Sequence, residues 1–148
     1  MPSEIERTPD GRRVVVSRAI ETPAETAWRV LTDTERWPEW GPSVAGVKCA
    51  DRFVTAGSRG YVRIPGPGSL FGRDAGSMGP RIPFRVVDCE NHRWTWRVAG
   101  IPATGHRVEG EGETCRVAIE VPMLAAGYVP VCRRALGEIE RIALRERS

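Results

Sequence analysis

The stretch "RWTWRVAGIPATGHRVE", Arg93–Glu109, decides the fold. Two strand-like runs flank the turn sequence "AGIPA". Side chains alternate along a strand, so Trp94, Trp96 and Val98 share one face and Arg93, Thr95 and Arg97 the other. In the second run Thr104, His106 and Val108 alternate against Gly105, Arg107 and Glu109. Two registers, one residue apart, are open. One sets Arg107 and Glu109 beside the tryptophans, where desolvation is costly for each ion. The other sets them beside Thr95 and Arg93 on a wet face, and it is the register expected. His106 then lies opposite or diagonal to Trp96, on the same dry face as both indoles.

A dry sheet face needs a partner, and the C-terminus supplies one. From about Tyr128 to Arg145, Cys132, Ala135, Leu136, Ile139, Ile142 and Ala143 recur at helical spacing. Pro130 belongs in or before the first turn, and Arg134 and Glu138 form an i,i+4 pair on the outer side. The run before the helix alternates cleanly, with Cys115, Val117, Ile119 and Val121 pointing inward and Arg116, Ala118 and Glu120 outward. "FRVVDCE" adds another strand, and short turns between these runs imply antiparallel neighbours.

Further upstream, Arg12–Glu21 reads as a strand rich in β-branched residues. "TPAETAWRVLTD" follows, with Thr22 as N-cap, Pro23 at the first helical position and Glu25 closing a capping box. Ala24, Ala27, Trp28 and Leu31 fall on one face. "DTERWPEWGP" forms another brief helical turn, and "VAGVKC" and "GYVRI" form two short strands. Residues 65–83 hold five glycines and four prolines, which predicts a long loop carrying the apolar Leu70, Phe71 and Met78. Residues 1–11 read as a flexible lead-in, and 12–148 as a single domain. Strands and helices are segregated, which gives the α+β class: a curved antiparallel sheet around one long C-terminal helix, with two short helices after the first strand.

The totals narrow the function. The chain has 148 residues, a net charge of +3 and one lysine, Lys48, with arginine and glutamate interspersed. No long one-sign block marks a nucleic-acid partner. No apolar run reaches membrane-spanning length, and "MPSEIERTPDGRR" lacks the apolar region of a secretory signal. A cytoplasmic protein is expected, with Cys49, Cys89, Cys115 and Cys132 reduced and mostly buried. His92 and His106 are the only histidines. No zinc spacing, phosphate loop, dinucleotide fingerprint or nucleophile elbow is present, and Ser69 reads as a loop serine. No metal or cofactor is expected. "RWTWR" places its arginines and indoles on opposite faces, which argues against base stacking.

A curved sheet wrapped around one helix can leave a hollow that the helix does not fill. Two indoles and an imidazole each carry an N–H that needs a partner when buried. Trp94, Trp96 and His106 therefore either form a satisfied core or line a ligand cavity, with His106 offering a hydrogen bond or a proton. Val108, Val117, Ile119 and Cys132 face the same interior. Tyr61 and Arg63 share a strand face and enter the cavity if that face is concave, where Arg63 would hold a carboxylate or an enolate oxygen. Met123 and Tyr128 lie at the junction of last strand and helix, near the mouth. Trp40 is a packing anchor or a wall.

"VVVSRAIETPAETAWRVLTDTERWPEWGPSV", then "FRVVDCENHRWTWRV", "TCRVAIEV" and the long last helix, resemble in order the START-like or helix-grip superfamily, in its polyketide cyclase/dehydrase and lipid-transport branch. The resemblance covers about Arg12 to Leu144. It implies a deep cavity between the sheet and the final helix, and a hydrophobic ligand such as a lipid, sterol, hormone or polyketide. It carries no universal catalytic motif. Binding of a hydrophobic small molecule, by a monomer or homodimer without stable membrane insertion, is therefore the expected function. The alternatives are a polyketide cyclase/dehydratase with His106 as acid/base and Arg63 on the enolate, and a filled-core domain that docks a partner.

Overall fold

The computed structural model describes residues 3–65, 78–110 and 112–146. The chain runs β1 (Ser3–Thr8), β2 (Gly11–Ile20), α1 (Ala24–Thr32), α2 (Trp37–Trp40), β3 (Gly46–Cys49), β4 (Arg59–Pro65), β5 (Met78–Glu90), β6 (Arg93–Val98), β7 (Ile101–Glu109), β8 (Cys115–Pro122), a 3-10 segment (Met123–Tyr128) and α3 (Val129–Glu146). Eight antiparallel strands form one sheet in the order β1-β2-β8-β7-β6-β5-β4-β3. The α+β, helix-grip class is the one found: α3 lies against the inner face of the sheet, and α1 and α2 pack on α3.

The hairpin that decided the fold takes the expected register. Arg93 pairs with Arg107 and Trp94 with His106. Its turn is tighter than "AGIPA" suggests. Ala99 and Gly100 both have positive φ (54° and 77°), the geometry of a two-residue turn whose twist matches the strands, and β7 resumes at Ile101. In α3 the predicted stripe is buried throughout: Cys132, Ala135, Leu136, Ile139, Ile142 and Ala143. On its exposed side Glu138 pairs with Arg141.

Four local expectations change. The lead-in is not loose where it is described: Ser3–Thr8 form β1, an edge strand paired with Gly11–Val16. Apart from the exposed Ile5 its residues are polar on both sides, so it lacks the alternation that marks a strand. The backbone ladder and the Glu6–Arg107 ion pair hold it. Thr22 does not cap α1: Pro23 is the N-cap residue, and the buried Thr22 hydroxyl has no partner among the described residues. The glycine- and proline-rich loop is shorter than expected. β5 begins at Met78, while Ser69, Leu70 and Phe71 lie outside the described residues.

Proline is tolerated in β5 for a physical reason. Pro83 presents its carbonyl to the N–H of Ala99, on the β6 side, so its nitrogen faces away from the ladder to β4. Pro80 sits where the β4–β5 register shifts between Arg63 and Pro65. The fourth change concerns the outer face. Ala118 and Glu120, expected in solvent, are buried, because the β1–β2 hairpin delivers Glu6 and Asp10 over that face. Glu120 is wholly enclosed and bonds Arg93 Nη2 at 2.6 Å and Arg107 Nη1 at 2.9 Å. Burial pushes its carboxyl up, but the two guanidinium groups outweigh that and hold it below the ordinary carboxylate range. Gly105 lies opposite Glu120, and a Cβ there would sit 2.7 Å from Oε1.

Candidate functional site

The "WPEW" turn explains what fills the space beneath the sheet. Pro38 fits the first turn of α2, and Trp37 and Trp40 donate their indole N–H to the carbonyls of Leu31 and Val30 at the end of α1. Their rings are thereby aimed at the sheet. Trp37 stacks on Trp94 (centroids 5.1 Å apart, planes 8° from parallel), and His106 covers Trp94's other face (3.9 Å, 20°). Trp96 meets Trp94 edge-on at 5.5 Å, and Trp40 meets His106 edge-on at 6.0 Å. Trp94, Trp96 and His106 therefore do meet, as expected. Both faces of Trp94 are covered by other rings. Trp40, Val108, Val117, Ile119 and Cys132 are likewise packed in the core. Burial pushes the Cys132 thiol up to about 12, so it stays protonated.

The polar atoms of this cluster form one directional chain. Trp96 Nε1 can only donate, and it bonds Thr104 Oγ1 at 3.2 Å. The Trp94 carbonyl can only accept, so His106 Nδ1, 3.4 Å away, carries the imidazole proton. Nε2 is then an acceptor, and the Thr104 hydroxyl donates to it across 3.0 Å. Burial pushes the His106 pKa down to about 3, which outweighs the bond to the Trp94 carbonyl. The imidazole is neutral near pH 7 and both its nitrogens are engaged within the chain. Trp94 Nε1 has no partner among the described residues.

Open space lies at the end of this chain of bonds, where the strands meet the start of α3. A cleft of about 690 Å³ is bounded by the end of β6 (Val98), the start of β7 (Ile101–Thr104), the β8–α3 junction (Pro122–Ala125 and Tyr128) and the β1–β2 turn (Asp10, Arg12, Arg13). Its walls are mostly apolar. Ile101, Met123, Leu124 and Tyr128 are all exposed there. Tyr128 donates its hydroxyl proton to Ser43 Oγ at 2.7 Å, tying this wall to the loop after α2. Thr104 joins the two regions: its hydroxyl holds His106 and Trp96, and the residue lines the cleft.

The structure thus sorts the predicted residues into three places. Met123 and Tyr128 stand at the cleft, as the strand-to-helix junction suggested. The aromatic and aliphatic set around Trp94 is interior packing. Tyr61 and Arg63 lie on the outer face, because Val62 between them points inward. There they share a hollow of about 210 Å³ with Lys48 and Arg81, remote from the imidazole. Ile101, Leu124, Thr104 and Arg13 were not singled out as site residues. Ile101 and Leu124 carry a sequence signal, a large apolar side chain in a turn or junction, whereas Arg13 at the start of a strand carries none. Among the described residues no group of three or more His, Cys, Asp or Glu side chains is placed to hold a metal ion, and no helix is long and apolar enough to cross a membrane.

The sequence profile described as polyketide cyclase/dehydrase and lipid transport matches residues 11–143. The chain belongs to that family. Several solved structures share the fold. A protein from Arthrobacter aurescens aligns with a TM-score of 0.65 at 13% identity, over 96% of this chain and 91% of its own. A protein from Mycobacterium smegmatis aligns at 0.62 and 13%, over 98% and 99%. The Zhui aromatase/cyclase from a Streptomyces strain aligns at 0.63 and 13%, over 90% and 94%. Identities this low establish the common fold and nothing finer. A comparison with curated protein sequences finds no match.

Proposed function

We propose that this family member binds a hydrophobic small molecule in the cleft at the mouth of the sheet. One observation carries the reading: Ile101, Met123, Leu124 and Tyr128, four large apolar side chains exposed to solvent, surround a single cleft of about 690 Å³. That volume is in the range of small-molecule sites. Covering a fully exposed leucine such as Leu124 is worth roughly 1.5–3 kcal/mol, which gives a ligand a reason to stay. Membership of a family described by cyclase and lipid-transport functions agrees with a ligand of this kind. Acid/base catalysis by His106 is the weaker reading, because its nitrogens are engaged and burial keeps it unprotonated.

The test is titration with the neutral hydrophobic dye Nile red, followed by fluorescence, for the wild-type protein and for Leu124→Asp and Ile101→Asp. Both positions are exposed, so the variants should keep their Tm within experimental spread. Dye affinity should fall roughly tenfold or more, because a carboxylate in an apolar site is strongly unfavourable. Equal affinity in all three proteins would place the dye elsewhere and remove the proposal.

A further inference from the structure

We infer that the molecule held in this cleft is an amphiphile with an anionic head, a carboxylate or similar monoanion, and that Arg13 receives the head. The inference rests on the cleft being the binding site.

Arg13 lines the cleft and is only 4% exposed. A guanidinium cannot shed its proton to escape burial, so a buried arginine normally has a carboxylate beside it. The other half-buried arginines of this region obey that rule. Arg93 is bonded to Glu120 and Asp10, and Arg107 to Glu120, Glu6 and Glu109. Arg13 has no such partner among the described residues. Its one bond among the described residues runs from Nη1 to the carbonyl of Ala103, at 2.8 Å. Glu6 stands directly across from it in the β1–β2 ladder, yet turns to Arg107. The nearby carboxylates are taken, and Arg13, left without one, lines the cleft.

The surroundings complete the recognition. Arg12 also lines the cleft, and no carboxylate among the described residues pairs with it. Asp10 lines it too, but its Oδ2 is held by Arg93 Nη2 at 2.8 Å. The remaining N–H donors of Arg13 form a planar fork that matches a carboxylate in geometry as well as charge. Val98, Ile101, Met123 and Leu124 offer the apolar wall for a tail.

The experiment displaces Nile red from the cleft with three ligands of equal chain length: decanoate, decanol and decylamine, at pH 7 and below their aggregation limits. Decanoate should displace the dye at concentrations roughly tenfold or more below those needed for decanol, with decylamine weakest. Arg13→Gln should erase the preference for decanoate over decanol. Arg13→Lys, which keeps the charge but not the fork, should retain part of it at an unchanged Tm. Equal potency of the three ligands on the wild-type protein overturns the inference and leaves the cleft reading intact, as does a preference that survives Arg13→Gln. Failure of Nile red itself to bind overturns the cleft reading and the inference with it. If Arg13→Gln does not fold, the wild-type comparison still decides the charge of the head, and Arg13→Lys decides whether Arg13 receives it.

Discussion

The imidazole of His106 lies almost flat on the indole of Trp94, their centroids 3.9 Å apart, and the same histidine receives a hydrogen bond from Thr104 at 3.0 Å. A protonated ring could not keep this arrangement, because Nε2 would lose its role as acceptor and the charge would sit in a dry interior. Burial has pushed the pKa from 6.5 down to about 3.

A pH dependence of stability follows. The unfolded chain binds a proton at His106 near pH 6.5, and the folded chain does not until about pH 3. The stabilising contribution is therefore complete above pH 6.5 and is lost as pH falls from there towards 3, at about 1.4 kcal/mol per unit once the unfolded imidazole is fully protonated. Glu120, whose folded carboxyl is held below its usual value, adds acid lability from the ordinary carboxylate range downward. Urea unfolding between pH 7 and 5 should show the His106 slope, and His106→Phe should remove it. A slope unchanged in that variant would assign the proton elsewhere.

Thr104 bridges the aromatic cluster and the cleft. Thr104→Val keeps the shape but leaves Trp96 Nε1 and His106 Nε2 without their partner. Two stranded polar groups should cost about 2–4 kcal/mol, read from the denaturation midpoint. A change under about 0.5 kcal/mol, the usual spread for a surface substitution, would mean that water replaces the hydroxyl.

Gly105 makes room for the carboxylate across from it. A Cβ at this position would press on Glu120 Oε1 at 2.7 Å and shift the bonds to Arg93 and Arg107. Gly105→Ala should destabilise by roughly 1–3 kcal/mol, beside the point where the β6–β7 register shifts between Thr95 and Arg97. Glu120→Ala should cost more, about 3–5 kcal/mol, because two cations then lose a shared partner. Thermal unfolding of both variants checks the order, and the reverse ranking would contradict this account.

Much of the architecture was legible because its signals are local. The stripe from Cys132 to Ala143 specifies a buried helix face by spacing alone, and the parity of Trp94, Trp96 and His106 follows from the strand period and the cost of burying Arg107. What could not be read depends on contacts between distant segments. The space beside Trp94 is filled because α2 brings Trp37 onto it, and no period within "RWTWR" announces a ring arriving from elsewhere. Glu120 looked solvated because β8 alternates. It is buried because a strand with no apolar pattern of its own folds back above it. Arg13 was hidden in the same way: its isolation is visible only once the nearby carboxylates are seen bound to other arginines.

The prolines of β5 bear on how the molecule behaves in a crowd. Past Val98 the strand β6 ends, and among the described residues the backbone N–H and carbonyl of Arg81 have no strand partner on that flank and stand open to any extended peptide that drifted by. The ring nitrogen of Pro83 faces that side and has no hydrogen to give, so a stranger trying to zip onto the flank meets a missing tooth. Replacing Pro83 by valine would restore the tooth and should make this flank of the sheet more prone to join its neighbours.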